Sequence, residues 1–244
     1  MDLALRLGTD KLYEGLKSFG FGAKTGVDFF GESSGLMMKS KKVKSVDLAR
    51  IGFGQAIAVT PVQMLVGVCE AVNGGKKVSP HFVEKIAYDD GKTLYEFSSP
   101  DIRIIGERTS AEMRTLLENV VKEGSGKKAS VTGYRIGGKT GTAQKYENGH
   151  IATGKYVSSF VGFAPADDPE YVILMTVDEP SSGAYYGSIV AAPYVGDIFS
   201  KIFAYEQIAP TDNAEKIEYI DMPELTDKSV DYALNELKKL GLYV

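Results

Sequence analysis

The run Tyr134-Arg135-Ile136-Gly137-Gly138-Lys139-Thr140-Gly141-Thr142-Ala143-Gln144 constrains the fold more than any other stretch of the 244 residues. A lysine, two threonine hydroxyls and three glycines crowd into it, with strand-forming residues on either side. It reads as one wall of a catalytic cleft, and three chemistries compete for it. Gly133, Gly138, Lys139 and Thr140 satisfy the phosphate-cradling pattern G-x-x-x-x-G-K-[ST]. That pattern works only with an apolar strand before the first glycine and a helix opening at the Lys-Thr pair. Here Lys127-Lys128-Ala129-Ser130-Val131-Thr132 precedes it and Gly141 follows, so both contexts are poor. The second reading is structural, a strand with a glycine kink. Lys24-Thr25-Gly26 shows how little the tripeptide says alone, since that copy reads as a structural loop with no strand around it. The third is a substrate-binding edge strand. Lys139, Thr140 and Thr142, gathered at one bend, can hold a carboxylate by charge and two hydroxyl hydrogen bonds. Gly141 leaves room for a peptide backbone to pair with the strand, and the Thr142 N–H can face a developing oxyanion.

The surrounding chain has the 43% hydrophobic and 25% charged content of an ordinary globular protein with a sizeable core. A net charge of −4 argues against a nucleic-acid partner, which selects a basic surface. Lys39, Lys41, Lys42 and Lys44 form one basic run, read as a solvated loop. Cys69 is the only cysteine, and its apolar neighbours make it a small buried hydrophobe rather than a nucleophile. His81 and His150 lack metal-ligand spacing, so no metal or other cofactor is expected. No apolar run approaches the ~20 residues of a membrane span.

In order, residues 1–20 read as helical, with Leu3, Leu7, Leu12 and Leu16 as faces already under way, as if the chain began inside a domain. A glycine-rich region follows. Thr60, Pro61 and Gln63 then start a helix with a capping box, and Met64, Leu65, Val68, Ala71 and Val72 form its apolar stripe. Short strands are expected over 78–106, with a turn at Asp89-Asp90-Gly91. Thr109 and Glu112 propose a second capping box before a stripe of Met113, Leu116, Leu117, Val120 and Val121. From 134 onward three strands are joined by short turns at 147–150 and 165–169, which implies an antiparallel meander. The third, Tyr171 to Val177, is apolar enough for a central strand covered on both faces. Ile189 to Phe203 reads as a helix over that sheet. The fold class is α/β of the α+β type, an antiparallel sheet covered by helices. Composition shifts near 205, and Val230, Ala233, Leu234 and Leu237 mark a small helix in a tail too short to bury a core of its own.

Lys139-Thr140-Gly141-Thr142 on a strand resembles the Lys-Thr/Ser-Gly motif of penicillin-binding proteins and serine β-lactamases. Gly52-Phe53-Gly54-Gln55, the run Val59 to Met64, and Ser159-Phe160-Val161-Gly162-Phe163-Ala164-Pro165 narrow the resemblance to the class B penicillin-binding transpeptidases, over residues 1 to about 204. Met222-Pro223-Glu224-Leu225-Thr226 through Leu242 resembles the start of a PASTA module. The resemblance implies three parts: 1–205 as the C-terminal part of a transpeptidase domain, 206–219 as a linker, and 220–244 as an incomplete PASTA module. It further implies serine acyl transfer from peptidoglycan stem peptides, in a sporulation (stage V, protein D) or division role. Implied partners are those stem peptides, β-lactam antibiotics and the cell-wall synthesis machinery, in an extracytoplasmic enzyme whose membrane anchor is not in this chain. Lys139 would supply positive potential, Thr140 and Thr142 would bind the terminal carboxylate, the Thr142 N–H would form half the oxyanion hole, and Gln55 would line the cleft. A D,D-carboxypeptidase or β-lactamase shares the motif, and a non-catalytic cell-wall-binding module is the remaining alternative.

The family's nucleophile is the serine of an S-x-x-K motif, with an S-x-N motif between it and the Lys-Thr-Gly strand. The 244 residues contain no S-x-N, and their one S-x-x-K is Ser125-Gly126-Lys127-Lys128, in a glycine-lysine loop rather than at the start of a buried helix far upstream. Two of the three motifs therefore have no counterpart here, and the chain by itself is expected not to acylate. Incubated with a fluorescent penicillin and run on a denaturing gel, it should carry no label; a covalent band overturns that expectation.

Overall fold

A glycine interrupts what the leucine spacing reads as one N-terminal helix. In the computed structural model, which describes residues 1–147, 150–181, 183–211 and 222–240, Gly8 takes φ +83° and separates α1 (Asp2–Leu7) from α2 (Thr9–Ser18). That backbone is costly for any residue with a Cβ, so the break falls at the glycine. Beyond a loop, β1 (Leu36–Met37) pairs antiparallel with β2 (Ile57–Ala58) around α3 (Ser45–Ile51). Lys39, Lys41, Lys42 and Lys44 are all exposed, as a solvated loop requires.

Helix α4 (Pro61–Val72) opens with the expected capping box: Gln63 N donates to Thr60 Oγ1 at 3.1 Å, and Thr60 N donates to Gln63 Oε1 at 2.9 Å. Its most buried face is not the apolar stripe, however. Gln63, Val66, Gly67 and Glu70 are buried, whereas of the stripe only Val72 is buried and Met64, Leu65, Val68 and Ala71 are half-buried. The helix is packed from two sides, and polar residues on the second side are invisible to a hydrophobic count. The Phe21 ring lies over Gly67, where a Cβ would come within 2.8 Å of it. Gln63 Nε2 donates to Ala23 O at 2.6 Å and Ser34 O at 3.0 Å, so one side chain closes the whole loop between those residues. Inside that loop the Glu32 carboxylate accepts from Thr25 N (2.6 Å), Thr25 Oγ1 (2.5 Å) and Gly26 N (3.1 Å). Burial pushes the Glu32 carboxyl up, but these donors together hold it below its ordinary value. The first Lys-Thr-Gly copy is therefore structural, as its loop context suggests.

The hairpin β3 (Lys85–Ala87) and β4 (Thr93–Glu96) turns at Gly91 as expected. Helix α5 (Glu107–Lys122) starts earlier than Thr109, with Gly106 at its N-cap, so the second capping box does not form. Its inward face also differs from the apolar stripe: Ser110, Glu118 and Val121 are buried, while Leu116 is 62% exposed. Ser110 Oγ donates to Ala71 O (2.7 Å) and Arg114 Nη1 to Val72 O (2.8 Å), which satisfies carbonyls left open at the end of α4. Hydrogen bonding to a neighbouring helix end, not hydrophobicity, selects this face.

Three strands, β5 (Gly137–Glu147), β6 (His150–Ala164) and β7 (Tyr171–Asp178), form an antiparallel meander in the order β5-β6-β7. The expected turn residues Asn148 and Gly149 lie outside the described residues. The central strand is β6 rather than β7, because short turns stack consecutive strands in chain order. Phe160 and Ala164 of β6 face Val195, Phe199 and Phe203 of α7 (Ala192–Tyr205), which follows the short α6 (Gly187–Val190). Phe163, one pleat over, faces Val72 of α4 and Leu117 of α5. The sheet is thus covered on both faces, which explains the apolar character of β7. After α7 the chain still packs on the core: Tyr134 Oη donates to Ile208 O at 2.9 Å and Thr211 N to Gly133 O at 2.9 Å. Residues 212–219 of the expected linker, with Asp221 and Gly241-Leu242 of the tail, lie outside the described residues. The small helix α8 (Val230–Lys239) forms where its apolar spacing places it, capped by Ser229, with no buried residue.

Gln63 supplies the testable point. Gln63→Ala would strand two carbonyls and one N–H in a buried setting, so the chain should lose ~2–4 kcal/mol of unfolding free energy, read from a urea midpoint. Gln63→Glu should also destabilise, because a carboxylate cannot donate to Ala23 O and Ser34 O. A loss below ~1 kcal/mol for the alanine variant contradicts the role given to Gln63.

Candidate active site

The glycines that open the distinctive run are places where rings sit. At Gly137 a Cβ would fall on the Phe163 ring, and at Gly138 it would come within 2.5 Å of Phe160 Cζ and 2.7 Å of Val161 O. Two residues before Gly137, Arg135 is clamped to α5: its Nε and Nη2 donate to Glu118 Oε1 and Oε2 at 2.9 and 2.8 Å. Such bidentate pairs fix direction as well as distance. The Arg135 guanidinium holds the Glu118 carboxyl below its usual range, overcoming the effect of burial, with Lys122 assisting. Arg135 also reaches Asp167 at 3.4 Å, and its carbonyl accepts from Ala166 N at 2.9 Å. The entry into β5 is therefore fixed by ring packing and by charge.

Beyond that anchor, β5 is one strand rather than a bend, and it pairs only with β6 among the described residues. Strand periodicity then divides the polar side chains. Thr140 and Thr142 share one face with their partners Phe160 and Ser158; Lys139 and Gly141 take the other. Lys139 is exposed, and its Nζ donates to Thr140 O at 3.0 Å. Gly141 has Ser159 Oγ at 2.5 Å from where a Cβ would stand. The structure thus assembles Lys139, Thr140, Gly141 and Thr142 along one open strand edge, the cation on one side and both hydroxyls on the other.

Two segments that the sequence reading left out of the site meet those hydroxyls. Gly187, first residue of α6, donates its N–H to Thr142 Oγ1 at 3.1 Å. Ser158 Oγ, beside Thr142 on β6, donates to Tyr185 O. A side chain at 187 would collide with Ser159 O and Gly141 O, so the approach demands glycine. Next to it Tyr185 stacks on Tyr156 with centroids 4.0 Å apart, and its Oη is 3.1 Å from that of Tyr186. The Tyr186 contact pushes the Tyr185 hydroxyl up to about 12. The second segment holds Ser125, whose Oγ lies 3.1 Å from Thr140 Oγ1. Nothing in residue spacing announces either contact, since both are long-range packing. Further along, Lys145 pairs with Asp178 at 2.9 Å and Glu179 at 2.7 Å, which raises its ammonium pKa and ties the end of β5 to β7.

Gln55 lies in the turn between α3 and β2, half-buried, with its N–H donating to Arg50 O. Among the described residues no hydrogen bond joins it to β5. Cys69 is half-buried, and burial followed by the neighbouring Glu70 pushes its thiol up. A groove of about 560 Å³ lined by Tyr13, Lys17, Phe21 and Met37 contains no residue of β5.

Residues 1–203 match the family described as the penicillin binding protein transpeptidase domain. Stage V sporulation protein D of Bacillus subtilis (strain 168) is 39% identical over 239 residues, covering 94% of this chain and 37% of that protein. A probable peptidoglycan D,D-transpeptidase PenA of Neisseria gonorrhoeae is 30% identical over 210 residues, covering 86% of this chain and 34% of that protein. Penicillin binding protein 3 of Mycobacterium tuberculosis, in a crystal structure complexed with ampicillin, superposes with a TM-score of 0.76 at 32% identity, over 83% of this chain and 47% of that one. The chain thus spans between about a third and a half of the length of these relatives.

Gly187→Ala should force α6 away from β5 and lower the unfolding free energy by ~1–3 kcal/mol, the usual cost of overpacking. The amide resonances of Thr142 and Ser159 should move with it. A variant with unchanged stability and unchanged Thr142 shifts contradicts the close approach.

Proposed function

The chain belongs to the penicillin-binding protein transpeptidase family, and on that premise we propose that it forms the donor-binding wall of a class B peptidoglycan D,D-transpeptidase. The observation that carries this reading is the open edge of β5, where the hydroxyls of Thr140 and Thr142 share one face and Lys139, the residue before Thr140, stands on the other. A stem peptide ending in D-Ala-D-Ala would lie along that edge as an added strand, with its terminal carboxylate at the two hydroxyls. Lys139 makes the approach electropositive. The Thr142 N–H takes half of the charge that develops on the scissile carbonyl oxygen, where preorganised donors contribute most. The serine that attacks this carbonyl, expels D-Ala and carries the acyl group to an acceptor amine belongs to the S-x-x-K motif of the complete enzyme. β-Lactams present the same carbonyl and carboxylate to the same groups. Among the described residues Gln55 makes no hydrogen bond to β5, and this chemistry does not require it.

The same reading gives the protein an extracytoplasmic setting, since its substrate is cell-wall material, with a membrane anchor and the cell-wall synthesis machinery as company. No helix among the described residues is long and apolar enough to cross a membrane. The relatives named as transpeptidases favour an amine over water as the acyl acceptor.

In the enzyme that carries this chain together with its S-x-x-K serine, Lys139→Ala and Thr142→Val should each slow acylation by benzylpenicillin markedly, by about 10²-fold for the loss of a preorganised group in such a site. The melting temperature of Lys139→Ala should stay close to the parent's, because Lys139 is exposed, whereas Thr142→Val should also lose some stability, because the Gly187 N–H loses its acceptor. Acylation at parental rate in both variants contradicts the assignment of the donor site.

A further inference from the structure

We propose that Ser125 is a positioning residue that orients the Thr140 hydroxyl as a donor toward a bound carboxylate, an inference that rests on the donor-site reading above. A threonine hydroxyl has one proton to give and two lone pairs to receive, whereas a carboxylate only accepts. For Thr140 and Thr142 to bind the same anion, each must keep its proton for it. Thr142 is set up for this, because the Gly187 N–H is a pure donor and occupies an acceptor position of Thr142 Oγ1 at 3.1 Å. Thr140 has the corresponding neighbour in Ser125 Oγ, also at 3.1 Å, where either oxygen is able to donate. An arriving anion decides the direction: Ser125 donates to Thr140, and Thr140 donates to the carboxylate. Each link polarises the next, which strengthens the outer bond.

The loop that carries Ser125 is built to hold it there. Gly124 N and Gly126 N both donate to Val120 O, at 3.1 and 2.9 Å, folding the chain back on the end of α5. At Gly126 a Cβ would stand 3.1 Å from Val120 O and 3.2 Å from Phe160 Cε2. Phe160 is the β6 partner of Thr140, so the loop rests on the residue paired with the one Ser125 touches. The serine itself is exposed and carries no core packing. The short S-x-x-K pattern at Ser125 is thus not a nucleophile motif, but its serine belongs to the site by another route.

The test compares parent, Ser125→Ala and Ser125→Thr in the full-length enzyme, with benzylpenicillin and its methyl ester as ligands. Ser125→Ala should slow acylation by the free acid about fivefold, the usual effect of one hydrogen bond. The loss should appear in the binding constant rather than the limiting rate, the ester should change less than about twofold by the same reasoning, and Ser125→Thr should restore the parent's preference for the acid. An equal loss with acid and ester marks a merely structural role and overturns the inference, as does an alanine variant with no loss at all or a threonine variant as impaired as alanine. A parent enzyme that is not acylated by either ligand, or that shows no preference for the acid, instead overturns the donor-site reading, and this inference falls with it.

Discussion

The phenyl rings of Phe160 and Phe163 fill the space that side chains at 138 and 137 would need, and the rest of the site depends on that exchange. It lets an edge strand lie against the centre of the sheet while keeping its other edge open. Close-packed interiors transmit small displacements, so a methyl group at either glycine would be felt along the strand. The Glu118–Arg135 pair adds direction to this depth by tying the start of β5 to α5. Packing thus sets how far in the strand sits, and charge sets where it begins.

From that seat the chemistry follows by alternation. Period-2 geometry gives the threonines one face and the lysine the other, so the carboxylate proposed for this edge would meet two neutral donors while a cation stands across the strand. Gly187 closes the arrangement from behind with a backbone N–H. Backbone donors keep their direction without side-chain entropy to lose, which suits a site that must be ready before its ligand arrives.

How much of this was legible in the sequence depended on the kind of force involved. Local signals read well: the Thr60–Gln63 capping box, the Gly91 turn and the three-strand meander all follow from neighbouring residues. Faces chosen by polar contacts read badly. On α4 and α5 the buried sides include Gln63, Ser110 and Glu118, which a hydrophobic stripe passes over, because their burial is compensated by specific partners rather than by apolar area. The strand order misled for a similar reason: β7 is apolar through helices packed on both its faces, not through a central place. In the site, Lys139 to Thr142 were visible as a motif. Ser125 and Gly187 were not, since each touches the motif only through tertiary packing.

The loop closed by Gln63 has a further consequence. Its Lys-Thr-Gly segment already holds a carboxylate, that of Glu32, through one hydroxyl and two N–H groups at 2.5 to 3.1 Å. The first copy therefore binds a carboxylate of the chain's own, as the β5 copy is proposed to bind one from outside. In the first the guest is covalently part of the host and cannot leave, so the same chemistry serves as mortar. In the second, on the donor-site reading, the guest would come and go, held by two side-chain hydroxyls in place of one hydroxyl and two N–H groups.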